Sequence, residues 1–157
     1  LWTRNAEIKV LKASQDIGAA YVAFSPLARG FLTNKLHDTS VFSEQDLRKT
    51  MPRFDASCYP QNLSLLPKYV ALAKQQGCTP AQLALAWVLA QSENIIAIPG
   101  TQNLAHLEEN IEANDLVIEP SIMSALNQLI NEHTVAGARY SDKAQATVTT
   151  EEFSAKQ

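Results

Sequence analysis

"NIIAIPGTQNLAHLEEN", residues 94–110, is the stretch from which the rest of the chain is read. Branched apolar residues run up to Pro99-Gly100 and stop. A hydroxyl and two amides follow, and then a polar segment with helical spacing. The pattern is a β-strand handing over to a helix. The N–H groups of a first helical turn have no partner within the helix. The helix dipole adds partial positive charge at the same place, and a phosphate is the usual guest there. The same residues also fit an ordinary strand-to-helix turn, and this stretch alone leaves both readings open.

A second stretch of the same kind is "AAYVAFS", 19–25, which is short, apolar, β-branched or aromatic, and ends at Ser25-Pro26. Neither run alternates with polar residues, which is the habit of strands buried on both faces of a parallel α/β sheet. Helical signals surround them. Asn5 is placed to cap a helix to about Ile17, with Ile8, Leu11 and Ile17 on one side and Gly18 just past its end. Residues 26–60 read as irregular, with a short helix at 43–50 behind Ser43. A helix over 61–76 has Leu65, Leu66, Tyr69, Val70 and Ala73 in one stripe and stops at Gly77. "TPAQ" at 79–82 is a start signal: Thr79 caps, Pro80 takes the first helical position and Gln82 reaches back. Leu83, Ala84, Trp87 and Ala90 then form the inward face. Further helices are expected at 103–111 and behind Pro120, the latter with Ile122, Leu126, Leu129 and Ile130 inward. From about 134 the chain is polar and reads as a loose tail. Two strands do not make a stable sheet. The order helix–strand–loop–helix–strand–helix therefore predicts the closing part of a larger α/β structure.

Composition narrows the function. The chain has 157 residues, 46% apolar and 18% charged, enough for one domain with a real core. No stretch approaches the ~20 apolar residues of a membrane span. The net charge of -3, with no basic stripe, argues against nucleic acid as a partner. Cys58 and Cys78 do not make the dense pattern of a disulfide scaffold, and His37, His106 and His133 lack zinc-type spacing, so no metal site is expected. The chain opens on "LWTRNAEIKV", without Met or a signal-peptide pattern. These features predict a cytoplasmic protein that has lost an earlier part.

"FSPLARGFLTNK" (24–35) and "IPGTQNLAHLEENIEA" (98–113) resemble two stretches of the aldo-keto reductases, most closely the bacterial and plant members with "SPLGRGFLTG" and "IPGTRRPEHLEEN". "LWTRN", "TPAQLALAW" and "AGARY" (136–140) also match, and all five pieces come in the family's order. The likeness runs from Leu1 to about Tyr140. It implies a (β/α)8 TIM barrel, typically of about 250 residues, of which this chain is an incomplete carboxy-terminal part. "AAYVAF" corresponds to strand seven and "NIIAIP" to strand eight. Residues 1–140 form the partial barrel, and 141–157 a polar carboxy-terminal tail. The guest in front of the 103–111 helix is then a dinucleotide, NADP(H).

The resemblance also implies roles. The Ser25 hydroxyl and the N–H groups after it, Leu27's among them, donate to the pyrophosphate, while Pro26 stiffens the turn. Arg29 reaches a phosphate or closes over the cofactor, though it also reads as a solvated loop residue. Gly100 and Thr101 open the adenosine site, where the Thr101 hydroxyl holds the 2′-phosphate. His106 contacts adenine or phosphate, and Glu109 and Asn110 hydrogen-bond the adenine. Close relatives carry Arg at the position of Gln102, and others carry Lys at that of Gly100. Each missing charge-assisted bond is worth roughly 1.5–3 kcal/mol. Preference for NADP is therefore expected to be weaker here, and NAD(H) remains admissible.

Family members reduce carbonyls by hydride transfer with a Tyr, Lys, Asp and His from earlier strands. None of those matched positions lies in this chain. Tyr21, Tyr59, Tyr69 and Tyr140 stand outside the catalytic motif, so no catalytic residue is assigned. The expectation is the NADP-binding portion of a carbonyl/alcohol oxidoreductase, inactive by itself. The intact enzyme would act on a small carbonyl substrate. Its partner here would be the amino-terminal half or a second copy of the chain, with neither nucleic acid nor membrane involved. The alternative is a non-enzymatic nucleotide-binding or structural protein that self-associates or complements another chain.

Overall fold

The computed structural model describes residues 1–149 and 151–153, so Thr150 and residues 154–157 of the expected tail lie outside it. In chain order the elements are α1 (Val10–Asp16), β1 (Tyr21–Phe24), α2 (Tyr59–Leu63), α3 (Leu66–Gln76), α4 (Pro80–Leu89), β2 (Ile95–Ile98), α5 (Leu104–Glu112), α6 (Pro120–Leu129) and α7 (Asp142–Gln145). Short 3₁₀ turns join several of them. β1 and β2 pair in parallel, with Tyr21 opposite Ile95 and Phe24 opposite Ile98. A parallel pair needs a long crossover, and α2, α3 and α4 lie within it.

The helix in the middle of the packing is α4. Its start is the one read from the sequence: Gln82 N–H donates to Thr79 Oγ1 at 3.1 Å, and Thr79 N–H to Gln82 Oε1 at 3.0 Å. Its inward face is wider than the sequence suggested. Leu83, Ala84, Leu85, Ala86, Trp87 and Val88 are all buried, while Ala90 is exposed. The reason is its place: α4 touches β2, α3, α5 and the turn at 113–115 on different sides. α6 closes the core with Ile122, Leu126 and the following Ile130, all buried as expected, and Leu129 is only partly covered.

Ala23, Ile95 and Ala97 face this core. The other sheet face, Val22, Phe24, Ile96 and Ile98, is about half exposed, at 48–52%. The expectation of burial on both faces is thus met on one face only, because no described element stands over the other.

Local contacts redraw several expected elements. Asn5 does not cap a helix. Its amide donates to Glu151 O at 2.8 Å and Glu152 Oε2 at 3.0 Å. The chain makes a 3₁₀ turn at Asn5–Glu7, breaks at Lys9, and only then forms α1. No residue of α1 is fully buried; of the expected inward stripe, Ile8 and Leu11 are partly covered and Ile17 is 79% exposed. Gly18, at φ +68°, ends it as read. The single helix expected at 61–76 is two. Pro67, which lacks an N–H, sits in the first turn of α3 and marks a fresh start. The helix expected at 43–50 is a 3₁₀ turn, Leu47–Thr50, capped by Asp46 rather than Ser43.

The irregular stretch 26–60 is organised by aromatic rings. Trp2 stacks on Phe31 at 4.4 Å between centroids and meets Phe54 edge-on at 5.4 Å. Phe42 and Tyr59 extend the cluster around Phe54. The segment 134–140 is not loose either. Val135 and Tyr140 pack against the core. Asn62, fully buried, donates to the carbonyls of Arg53 and Ala136 at 3.0 Å and accepts the Ala136 N–H at 2.8 Å.

Candidate nucleotide-binding site

Because Phe24 lies opposite Ile98, the loops after both strands leave the sheet side by side from its carboxyl end. Adjacent strands lie only about 4.8 Å apart. The two motifs singled out in the sequence therefore begin next to each other, 74 positions apart in the chain at Ser25 and Pro99.

The first loop is unusually folded. Ser25, Ala28 and Arg29 all have φ between 51° and 55°, and Gly30 has φ 95°. Left-handed backbone is uncommon outside glycine. Successive N–H groups in such turns converge into an anion-binding concavity. Ala28 N–H returns to Ser25 O and Gly30 N–H to Leu27 O, whereas the Leu27 N–H and the Ser25 hydroxyl have no partner among the described residues. Ala28 carries the left-handed conformation itself, so the methyl that replaces the family's frequent Gly is accommodated. Pro26 is buried, and Arg29 is half-buried. The Arg29 guanidinium has no partner among the described residues, and its carbonyl accepts from Arg48 Nη1 at 3.2 Å.

Arg48 is the residue that motif reading missed. Asp46 holds it in a fork, Nε to Oδ1 at 3.0 Å and Nη2 to Oδ2 at 2.7 Å, and its guanidinium lies 4.1 Å from the Phe42 ring centre. The hydrogen bonds from Arg48 pull the Asp46 carboxyl down to about 2. That contribution is present above the ordinary carboxylate range and is lost as pH falls through about 2. An Asp two residues before an Arg was the available signal, but nothing in the sequence showed that the pair anchors the strained loop.

The second loop presents the start of α5. The Asn103 side chain caps it, accepting His106 N–H at 3.2 Å, and Thr101 Oγ1 accepts Asn103 N–H at 3.1 Å. The N–H groups of Leu104 and Ala105 are in the first turn, where no intrahelical acceptor exists. Gly100, Thr101, Gln102 and His106 are exposed, and Glu109 and Asn110 half-buried. The Gln102, His106, Glu109 and Asn110 side chains have no partner among the described residues. Ser25, Pro26 and Arg29 line a cavity of about 430 Å³, whereas Leu27 and all residues of the second loop lie outside it. Among the described residues there is no cluster of three or more metal-ligating side chains, and no helix is long and apolar enough to cross a membrane.

The sequence model of the aldo/keto reductase family matches residues 1–131. The chain is 37% identical over 134 residues to an aldo-keto reductase of Schizosaccharomyces pombe, yakc [NADP(+)], covering 85% of this chain and 39% of that one. It is 36% identical over 140 residues to a probable aldo-keto reductase of Glycine max, covering 89% and 40% respectively. Its fold matches the glycerol dehydrogenase of Gluconobacter oxydans with a TM-score of 0.74 at 24% identity, over 81% of this chain and 38% of that one. The chain thus spans about two fifths of the curated relatives it matches. By the extent of the sequence match and the agreement of these relatives, this chain belongs to the aldo/keto reductase family.

Proposed function

We propose that this chain is the NADP(H)-holding portion of an aldo-keto reductase, folded as part of a (β/α)8 barrel, and that residues it does not contain carry out hydride transfer to a carbonyl. The observation that carries the reading is the adjacency of two anion-receptive loops at the carboxyl ends of paired parallel strands. Ser25 and the Leu27 N–H face the pyrophosphate, with Arg29 free to close over it. Gly100, Thr101 and Gln102 meet the 2′-phosphate, and His106, Glu109 and Asn110 the adenosine. With no Lys or Arg from 100 to 110, NAD(H) is also accepted, at a smaller disadvantage than in relatives carrying those cations. Titration of NADPH fluorescence against the chain and a Thr101→Ala/Asn110→Ala form tests this. Two lost hydrogen bonds to a charged or buried group predict a ten- to hundredfold weaker Kd. Equal affinities would remove the assignment.

The half-open face of Val22, Phe24, Ile96 and Ile98, with one edge of each strand unpaired among the described residues, is the place where the rest of the barrel, or a second copy, attaches. Uncovered side chains of this type forgo roughly 1.5–3 kcal/mol each, and free edges invite pairing. Sedimentation at micromolar concentration is expected to show association that deepens with concentration. A compact monomer melting in one cooperative step would contradict it.

A further inference from the structure

The tip of the first loop is a turn that its own residues do not favour. Arg29 (φ 55°, ψ 36°) and Gly30 (φ 95°, ψ -12°) have the dihedral angles of a type I′ turn. Such a turn needs positive φ at both central positions and is usually made by Asn, Asp and Gly. Gly30 suits the second position. Arg29, at the first, carries a full side chain into left-handed backbone, and Ala28 before it has φ 51°. Backbone of this kind persists only where its surroundings hold it. The flanks are held by burial: Pro26 on one side, Phe31 and Leu32 on the other. Thr33 Oγ1 donates to the Gly30 carbonyl at 2.7 Å from within the same loop. Among the described residues, one side-chain hydrogen bond reaches the turn from another segment, that of Arg48 Nη1 to the Arg29 carbonyl at 3.2 Å.

Arg48 is itself held still. Asp46 takes its Nε and Nη2, which leaves Nη1 for Arg29. Asp46 is fixed as the cap of the Leu47–Thr50 turn, accepting the Arg48 N–H at 2.9 Å. The Phe42 ring beside the guanidinium is buried and meets Phe54 edge-on. A planar fork already fixed on two sides loses little further freedom in making its third bond. A Cβ on Gly30 would stand 3.6 Å from the same Nη1, so the guanidinium lies against the turn. Arg48 does not line the cavity that Ser25, Pro26 and Arg29 border. We propose that Asp46 and Arg48 are positioning residues, which brace the Arg29–Gly30 turn in its left-handed form and so set the affinity of the first loop for a pyrophosphate without touching it. This rests on the nucleotide reading of that loop. Donors ordered before the ligand arrives bind it more tightly than donors that must be ordered by it. Without the brace, the turn relaxes toward right-handed backbone, and the N–H groups that converge in it diverge.

Arg48→Met keeps an apolar body beside Phe42 and removes the donor. In the 157-residue chain without ligand, this change is expected to quicken hydrogen exchange of the Ala28 and Gly30 amides, which bond back to Ser25 and Leu27, about tenfold, with the amides of α4 unchanged. Adding Arg29→Asn supplies a residue that favours the turn and is expected to restore most of that protection, a repair that general damage at Arg48 would not allow. Binding is read by calorimetry with two probes: NADPH, and adenosine 2′-phosphate, which carries the groups assigned to the second loop and no pyrophosphate. Arg48→Met is expected to weaken NADPH about tenfold and leave adenosine 2′-phosphate unchanged. Asp46→Asn is expected to move NADPH in the same direction by less. Unchanged exchange in Arg48→Met, no recovery on adding Arg29→Asn, unchanged NADPH affinity, or an equal loss for both probes would each overturn the proposal and leave the nucleotide reading standing. Failure of the parent chain to bind either probe would remove that reading, and this proposal with it.

Discussion

Asn62→Leu is expected to lower the stability of the fold by about 3–5 kcal/mol, measured by urea unfolding. Asn62 is the only polar residue among the described ones that is fully buried. Its single amide joins two loops: it holds the Arg53 and Ala136 carbonyls and receives the Ala136 N–H. Leucine has similar volume and no hydrogen-bonding atoms, so three backbone groups lose their partner together. Each buried orphan costs roughly 1–3 kcal/mol, against a net stability of about 5–15 kcal/mol for a domain. The Arg53–Gly137 contact is close by, and Gly137 has no room for a side chain: a Cβ would meet the Arg53 N and the Pro52 carbonyl at 3.0 Å. The segment at 136–137 can therefore not slide to find new partners. A midpoint change below 0.5 kcal/mol, the size of an ordinary surface substitution, would show that this junction does not hold the two loops.

Trp87→Ala is expected to cost about 3–5 kcal/mol, as for other buried aromatic truncations. Trp87 is 3% exposed, and its indole N–H donates to Asn127 Oδ1 at 3.1 Å. Arg4 lies over its ring, 5.1 Å from the centre. Truncation merges the lost ring volume with the neighbouring cavity and leaves Asn127 without its donor. Lys12→Ala is the control. Lys12 pairs with Asp16 on the exposed side of α1, and such surface pairs contribute little. Similar midpoints for Trp87→Ala and Lys12→Ala would mean that α4 is not the centre of the core.

Much of this protein was legible from local sequence. Thr79, Pro80 and Gln82 set the start of α4 by bonds between neighbours in the chain, and Gly18 and Gly77 end helices with left-handed backbone that favours glycine. Pro99-Gly100 ends β2, and Asn103 opens α5. Both strands were found this way, and the motif residues of the candidate site were named this way, since each motif is a run of adjacent residues. Tertiary structure alone decided the rest. Asn5 reads as a cap, but its amide goes to Glu151 and Glu152, 146 and 147 positions away. A local motif cannot show that a distant acceptor competes for the same donor. Asp46 and Arg48 look like any surface pair until the fold brings Arg29 against them. The two strands, equally apolar on alternate positions, gave no sign of which face the described chain would cover. Only the stacking of α4 against Ala97 and Ile95 separates the covered face from the half-open one. Caps, stops and strand runs depend on interactions between near neighbours and are written in order along the chain. Burial, charge pairing and the shape of a cavity depend on which distant segments come together, and that is settled only when the core closes.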